Sequence, residues 1–349
     1  MINITPKPDF SRFRQTLLLQ KAYRRPPLFD FHVDPSHKAA VIGRPVATAT
    51  DEVEFWTRAG YDYVQCTLFV PQAEMTKHQQ RETGQASRSS DDAVITSLEQ
   101  FRSRRWSWQD AADGDLAGIE DQLENLRALC RVLPPEMKLL LHTADIFTSA
   151  WIMIGFTTFC IKSIEEPELI AEVMGSLAKA QINAMKAGLA IAGDKVGALF
   201  YSDDIAYTEG LMMGPDFYGR ELFPYIRQIV ELGRSRDLPL IYHTDGRLYD
   251  VFDQLAEIGV RGVQPLEPKS MDPLEIKRRW PGRFCLMGNI DLDLLGRGET
   301  DAVERHVRQR VATLNQGGGY MPGVSNTVPY YVKYENYKRM IETVYSLEE

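Results

Sequence analysis

The chain has little that would tie it to a membrane, a nucleic acid or an oxidising compartment. Its longest apolar stretch, AWIMIGFTTFCI at 150–161, is too short to span a bilayer as a helix. The opening MINITPKPDFSRFRQ lacks the apolar core of a signal peptide. Four cysteines, Cys66, Cys130, Cys160 and Cys285, show no paired spacing, so neither a disulfide framework nor a CxxC zinc site is indicated. Long runs of Lys or Arg are missing too. RSRRW at 102–106 is a short basic cluster in a chain of formal charge −8, and that balance argues mildly against a backbone-tracking nucleic-acid binder. GxSxG, P-loop and HExxH motifs are also absent, which removes support for a nucleophile elbow, a nucleotide cradle or a zincin helix. The expectation is a cytoplasmic protein with neither membrane nor nucleic acid as partner.

What is present is an ordinary globular composition, 44% hydrophobic and 25% charged over 349 residues. Eight strand-like runs recur: LFDFHVD (28–34), DYVQCTLFV (62–70), KLLLHT (138–143), VGALFYSDD (196–204), LPLIYHTD (238–245), GVQPLE (262–267), RFCLMGNID (283–291) and GGYMPG (318–323). Helical patterns lie between them, at 116–133, 164–193, 216–236, 247–258, 272–280, 300–314 and 334–348. At the start of the second, Ser163 and Glu166 have capping-box spacing ahead of Pro167, and Leu169, Ile170, Val173, Met174 and Leu177 form an apolar stripe. Eight alternating units predict an α/β fold of the (β/α)₈ TIM-barrel type, one domain over 1–349 with an N-terminal helical extension. The polar stretch within 71–115 is too long for an ordinary connection and is expected to be a lid or an insertion after strand two.

The chemistry-bearing residues gather at the C-terminal ends of the runs, and those ends share one mouth in a barrel. They are His32 and Asp34; Cys66 and Thr67; His142 and Thr143; Ser202, Asp203 and Asp204; His243, Thr244 and Asp245; Gln264 and Glu267; Asn289 and Asp291; Ser325 and Asn326. A lone histidine at a strand end is compatible with packing, and Asp before Gly with a turn. The recurrence at many strands points to a pocket instead. His243, Asp245, Asp203 and Asp204 are the candidate catalytic residues, by proton transfer or by metal ligation. His32, Cys66, His142, Glu267, Asn289 and Ser325 are candidates for binding a small-molecule substrate.

HTDGRLYDVFDQLAEIGVRGVQPLEP, FCLMGNIDLDLLGRGETDAVERHV and GGGYMPGVSNTVP resemble the uroporphyrinogen decarboxylase superfamily, which shares a GN(I/L)D strand and a Gly-rich last strand. PDFYGRELFPYIRQIVELGRSRDLPLIYH and SAWIMIGFTTF extend the likeness, and the latter adds Trp151 and Phe156 as substrate-side aromatics. The resemblance implies a (β/α)₈ barrel and one of two chemistries: porphyrinogen decarboxylation, or methyl transfer to or from a corrinoid or a thiol. Decarboxylases carry a basic segment after strand one, an Asp after strand two, a Tyr after strand three and a GH pair after strand eight. Here those places read DFHVDPSHKAAVIGR, Gln65-Cys66-Thr67, Phe156 and Gly323-Val324. The zinc methyltransferases carry His-x-Cys after strand five and a Cys after PG; this chain has His243, Asp245 and Val324. His243 and Asp245 are then the candidate metal ligands, with zinc left open by the loss of both thiolates. The expected function is a corrinoid-dependent methyltransferase for a small methylated substrate. A decarboxylase of a porphyrinogen-like or small acid substrate, and a non-catalytic binding barrel, are the alternatives. A corrinoid protein and a second copy of the chain are the candidate macromolecular partners.

Overall fold

A computed structural model describes residues 2–70 and 93–347. Seven strands form one parallel, curled sheet: β1 Tyr63–Thr67, β2 Lys138–Ala144, β3 Val196–Ser202, β6 Leu240–His243, β7 Val260–Gln264, β8 Cys285–Ile290 and β9 Tyr320–Val324. A two-residue hairpin, β4 Ala206–Tyr207 with β5 Gly210–Leu211, stands apart at the end of β3. Every residue of β3, β6, β8 and β9 is buried, as expected of parallel strands covered by helices on one side and by each other's side chains on the other.

The eighth expected strand, 28–34, is not one. It lies in the seam between the edge strands β1 and β9 as irregular chain. Phe29 N donates to Pro322 O (3.0 Å), Val324 N donates to the Asp30 carboxylate (2.7 Å), and Tyr63 OH donates to Asp30 O (2.6 Å). Only Val33 makes a bridge, with Val328. The reason is the buried Asp30. A regular strand would turn its carboxylate into an apolar layer, whereas here the side chain takes the place of a ladder acceptor for β9. Gly323 permits this approach, since a Cβ there would overlap the Phe29 carbonyl.

Local signals explain most of the helices. Asp9 accepts from Ser11 N and Arg12 N to start Phe10–Leu17, which lies across the strand starts with Phe10 against Gly197 and Leu17 against Gly262. Thr48 and Asp51 form a capping box for Ala49–Arg58. The box expected at Ser163 and Glu166 does not form. Residues Phe156–Glu165 are already helical, so Ser163 Oγ donates back to Cys160 O and Glu166 accepts from Lys162 Nζ and Leu98 N. The long helix Pro167–Ala192 buries the predicted stripe, including Leu169, Val173, Met174 and Leu177. The apolar run 150–161 is broken at Gly155 into the helices Phe147–Ile154 and Phe156–Glu165, bent by 99°. Among the described residues no single helix is long and apolar enough to cross a membrane.

Of the expected lid, 71–92 lies outside the described residues. The remainder, 93–115, packs against neighbouring helices. Val94 N and Ile95 N donate to Met153 O, Phe101, Trp106 and Trp108 stack, and Trp108 Nε1 reaches Ser176 Oγ at 3.0 Å. The basic cluster is neutralised in place: Arg102 pairs with Glu168 and Glu172, Arg104 covers the Trp106 ring, and Arg105 pairs with Asp110 and Asp113.

Candidate functional site

Register assembles the site before any side chain is considered. Thr67 pairs with His142 across β1 and β2, while Ser202, His243 and Gln264 are consecutive partners across β3, β6 and β7. Because side chains alternate along a strand, these five share the interior face at the C-terminal end. Deeper in the row His142 bonds Thr67 Oγ1 through Nδ1 (3.0 Å) and Ser202 Oγ through Nε2 (2.9 Å). Burial, with the neighbouring His243 and His32, pushes its pKa down to about 3, so it sits neutral between two hydroxyls.

His243 is the centre of the mouth. It is 6% exposed, and its Nδ1 faces Gln264 Oε1. Its Nε2 faces two carboxylates, Asp204 Oδ1 and Asp245 Oδ1, each at 3.9 Å and neither within hydrogen-bond distance. One donor atom from each of these three residues lies within 4.8 Å of the others. Asp245 Oδ2 accepts from Asn326 Nδ2 (2.9 Å), while its Oδ1 is buried without a hydrogen-bond partner among the described residues. Burial pushes the Asp245 carboxyl up to about 6; the charges of Asp204 and Glu267 add to this and His243 opposes it. A buried carboxylate oxygen with no donor, a second carboxylate and an imidazole nitrogen converge in a set that suits a divalent cation.

The HTDG turn presents this set. Gly246 has φ +87°, and a Cβ there would come within 2.6 Å of the Tyr207 backbone, so only glycine lets the β4–β5 hairpin pack on the turn. Gly246 N donates to Glu267 Oε2 (2.9 Å), which also accepts from Ser270 Oγ. Glu267 then lines a cleft of about 170 Å³ with Ser270, Asp291, Ser325 and Asn326 at the ends of β7 to β9. Asn326 joins that cleft to Asp245. Ser325 Oγ accepts from Leu292 N (3.2 Å) at its wall.

The other candidates are placed differently. Asp203 is turned away from His243: its carboxylate accepts from Ile146 N (3.0 Å), Phe147 N (2.7 Å), Thr148 N (2.8 Å) and Tyr201 OH (2.6 Å), and so anchors the start of the helix Phe147–Ile154. That helix carries Trp151, whose ring meets Phe156 edge-on at 5.7 Å. Cys66 is buried on the outer face of β1 toward Cys130 and Glu52, with burial pushing its thiol up to about 12. Asn289, at φ +69° and fully buried, donates to Leu266 O (2.9 Å) and leaves its Oδ1 without a partner among the described residues. His32 is exposed. Its neighbour Phe31 turns inward, against His243 (4.6 Å), Phe200 (4.9 Å) and His142 (5.0 Å).

Phe31 and Phe200, which floor the site, went unrecognised in the sequence. The period of two in FDFHV, with Phe29, Phe31 and Val33 on one side, was the signal that could have found Phe31.

The fold and site together define an α/β protein with a curled parallel sheet and a polar cluster at the carboxyl ends of its strands. Residues 95–347 match the uroporphyrinogen decarboxylase (URO-D) family, and the chain belongs to it. Its fold is similar to that of a methyltransferase from Methanosarcina mazei, 16% identical, over 96% of this chain and 97% of that one, with a TM-score of 0.64. Among curated proteins none matches.

Proposed function

We propose that the protein is a methyltransferase whose reaction centre is His243 with Asp204 and Asp245, acting on a small O- or N-methylated substrate with a corrinoid on a separate protein as acceptor. The observation that carries this reading is the convergence of His243 Nε2 on two carboxylate oxygens, Asp245 Oδ1, which has no donor among the described residues, and Asp204 Oδ1, which accepts from Asp245 N (3.1 Å). Family membership and the similar fold of a methyltransferase support it.

In methyl transfer to cobalt(I) the methyl leaves as the electrophile, and the donor oxygen or nitrogen keeps the bonding pair. That atom needs a positive partner. A divalent cation held by His243, Asp204 and Asp245 would supply Lewis acidity there. The donor set is nitrogen and oxygen alone. Val324 is fully buried, and Cys66 and Cys285 are buried thiols whose pKa values burial raises, so the thiolates of the zinc-thiol methyltransferases have no counterpart in the cluster. Harder donors of this kind favour oxygen- or nitrogen-linked methyl groups over a soft thiol substrate. Phe31 closes the floor beneath His243, Asp203 fixes the helix that bears Trp151, and Glu267 and Ser325 form the wall of the adjoining cleft.

The test is to incubate the protein with cob(I)alamin and a panel of methyl ethers and methylamines, with and without corrinoid proteins. The methylcobalamin spectrum should develop with one donor and vanish in His243→Ala. Carbon dioxide release from a carboxylic acid substrate with no methyl transfer would favour the decarboxylase reading. Tight ligand binding with neither reaction would leave a binding barrel.

A further inference from the structure

We propose that Gln264 and Asn326 are positioning residues that hold His243 in its Nδ1-protonated tautomer and aim Nε2, with Asp245 Oδ1, at the ligand of the site. The proposal rests on the reading of the cluster as a cation site, but its primary readout needs no cation.

Two side-chain amides, Asn326 and Gln264, have their orientations fixed by their neighbours. Thr327 N donates to Asn326 Oδ1 (2.7 Å), which leaves Asn326 Nδ2 as the end facing Asp245 Oδ2 (2.9 Å). The Asn326 backbone carbonyl accepts from Gln264 Nε2 (3.4 Å). An amide has one donor end and one acceptor end, so Gln264 must present Oε1 to His243 Nδ1. A carbonyl oxygen can only accept. The proton therefore sits on Nδ1, and the neutral ring offers its lone pair at Nε2.

This placement opposes the local electrostatics. Asp204 and Asp245, each 3.9 Å from Nε2, favour a proton on that nitrogen. Without Gln264 the ring would turn over to the Nε2–H form and satisfy the carboxylates itself. With Gln264, fully buried and in register with His243, the three donor atoms are left for a cation instead. Asn326 serves both arms: its carbonyl orients Gln264, and its side chain ties down Asp245 Oδ2 so that Oδ1 points at the ring. Partners of this kind set tautomer and ligand orientation in metal sites, and their loss costs about 10–100-fold in affinity.

The experiment uses the full chain labelled with ¹⁵N-histidine at pH 8, with His243 identified by its disappearance in His243→Ala. Long-range ¹H–¹⁵N correlations should show Nε2 as the unprotonated nitrogen and Nδ1 as the protonated one. Gln264→Leu should exchange the two, and Gln264→Glu, which keeps an acceptor, should restore the wild-type pattern. Zn²⁺ titration should show affinity lower by about 10–100-fold in Gln264→Leu and Asn326→Ala. A protonated Nε2 in the wild type overturns the proposal, as does a folded Gln264→Leu that keeps the wild-type tautomer. Should Gln264→Leu fail to fold, the wild-type and Gln264→Glu spectra decide. If the tautomers behave as stated and the wild type binds no Zn²⁺, the positioning role stands and the cation reading falls alone.

Discussion

Asp30, in the seam between β1 and β9, should make the protein lose stability as pH rises. Its carboxyl is fully buried and pushed up to about 7 by desolvation, with hydrogen bonds from Tyr61 and Val324 N acting against the shift. The unfolded chain releases the same proton near 3.8. Between these values the folded state binds more protons than the unfolded state, so stability is fully present below about pH 4, declines toward pH 7 and is flat above. A gap of that size corresponds to about 4 kcal/mol in all, of which about 3 kcal/mol falls between pH 5 and pH 8. Asp30→Asn removes the titration and keeps the geometry. The amide oxygen can accept from Val324 N, and the NH₂ can donate to Tyr61 OH, whose proton turns to Tyr337 OH at 2.8 Å. Urea unfolding of both proteins at pH 5 and pH 8 should show the variant gaining about 3 kcal/mol on the wild type over that interval. A difference independent of pH would refute the buried, protonated carboxyl.

The adjacent carboxylates should separate cleanly: Asp203→Ala leaves three backbone amides without an acceptor and should cost on the order of 3 kcal/mol or more in urea unfolding, while Asp204→Ala should cost about 0.5 kcal/mol and abolish cation binding by calorimetry. Gly246→Ala forces a side chain into a left-handed position against Tyr207 and should lower stability by about 1–3 kcal/mol, read from the urea midpoint. Cys66→Ser and Cys285→Ser should leave Zn²⁺ affinity unchanged, because both thiols are buried outside the His243 cluster.

The sequence made the strand ends legible and was weaker on which side each residue faces. Seven of the eight runs are strands because their β-branched and aromatic residues are bounded by turn signals. The run 28–34 reads the same way, and nothing local reveals that Asp30 would pair with β9 and hold the segment out of the ladder. His243, Asp204 and Asp245 come together because they end neighbouring strands. Asp203 and Asp204 are equivalent in sequence, and only the position of the helix Phe147–Ile154 decides which is taken up as its anchor. Cys66 and His32 fall on the wrong parity of their segments, and Thr67 and Phe31 occupy the inward places instead. Gln264 and Asn326 stand among the strand ends, but their roles depend on amide orientation, which spacing does not encode.

X-ray absorption of the Zn²⁺-loaded protein tests the central claim most directly, because the account requires a shell of nitrogen and oxygen alone. The predicted result is scattering at about 2.0–2.2 Å with no sulfur contribution, weakened in His243→Ala and Asp245→Ala. Sulfur at about 2.3 Å, lost in Cys66→Ala and indifferent to Asp245→Ala, would contradict it and place the metal on a thiolate site elsewhere.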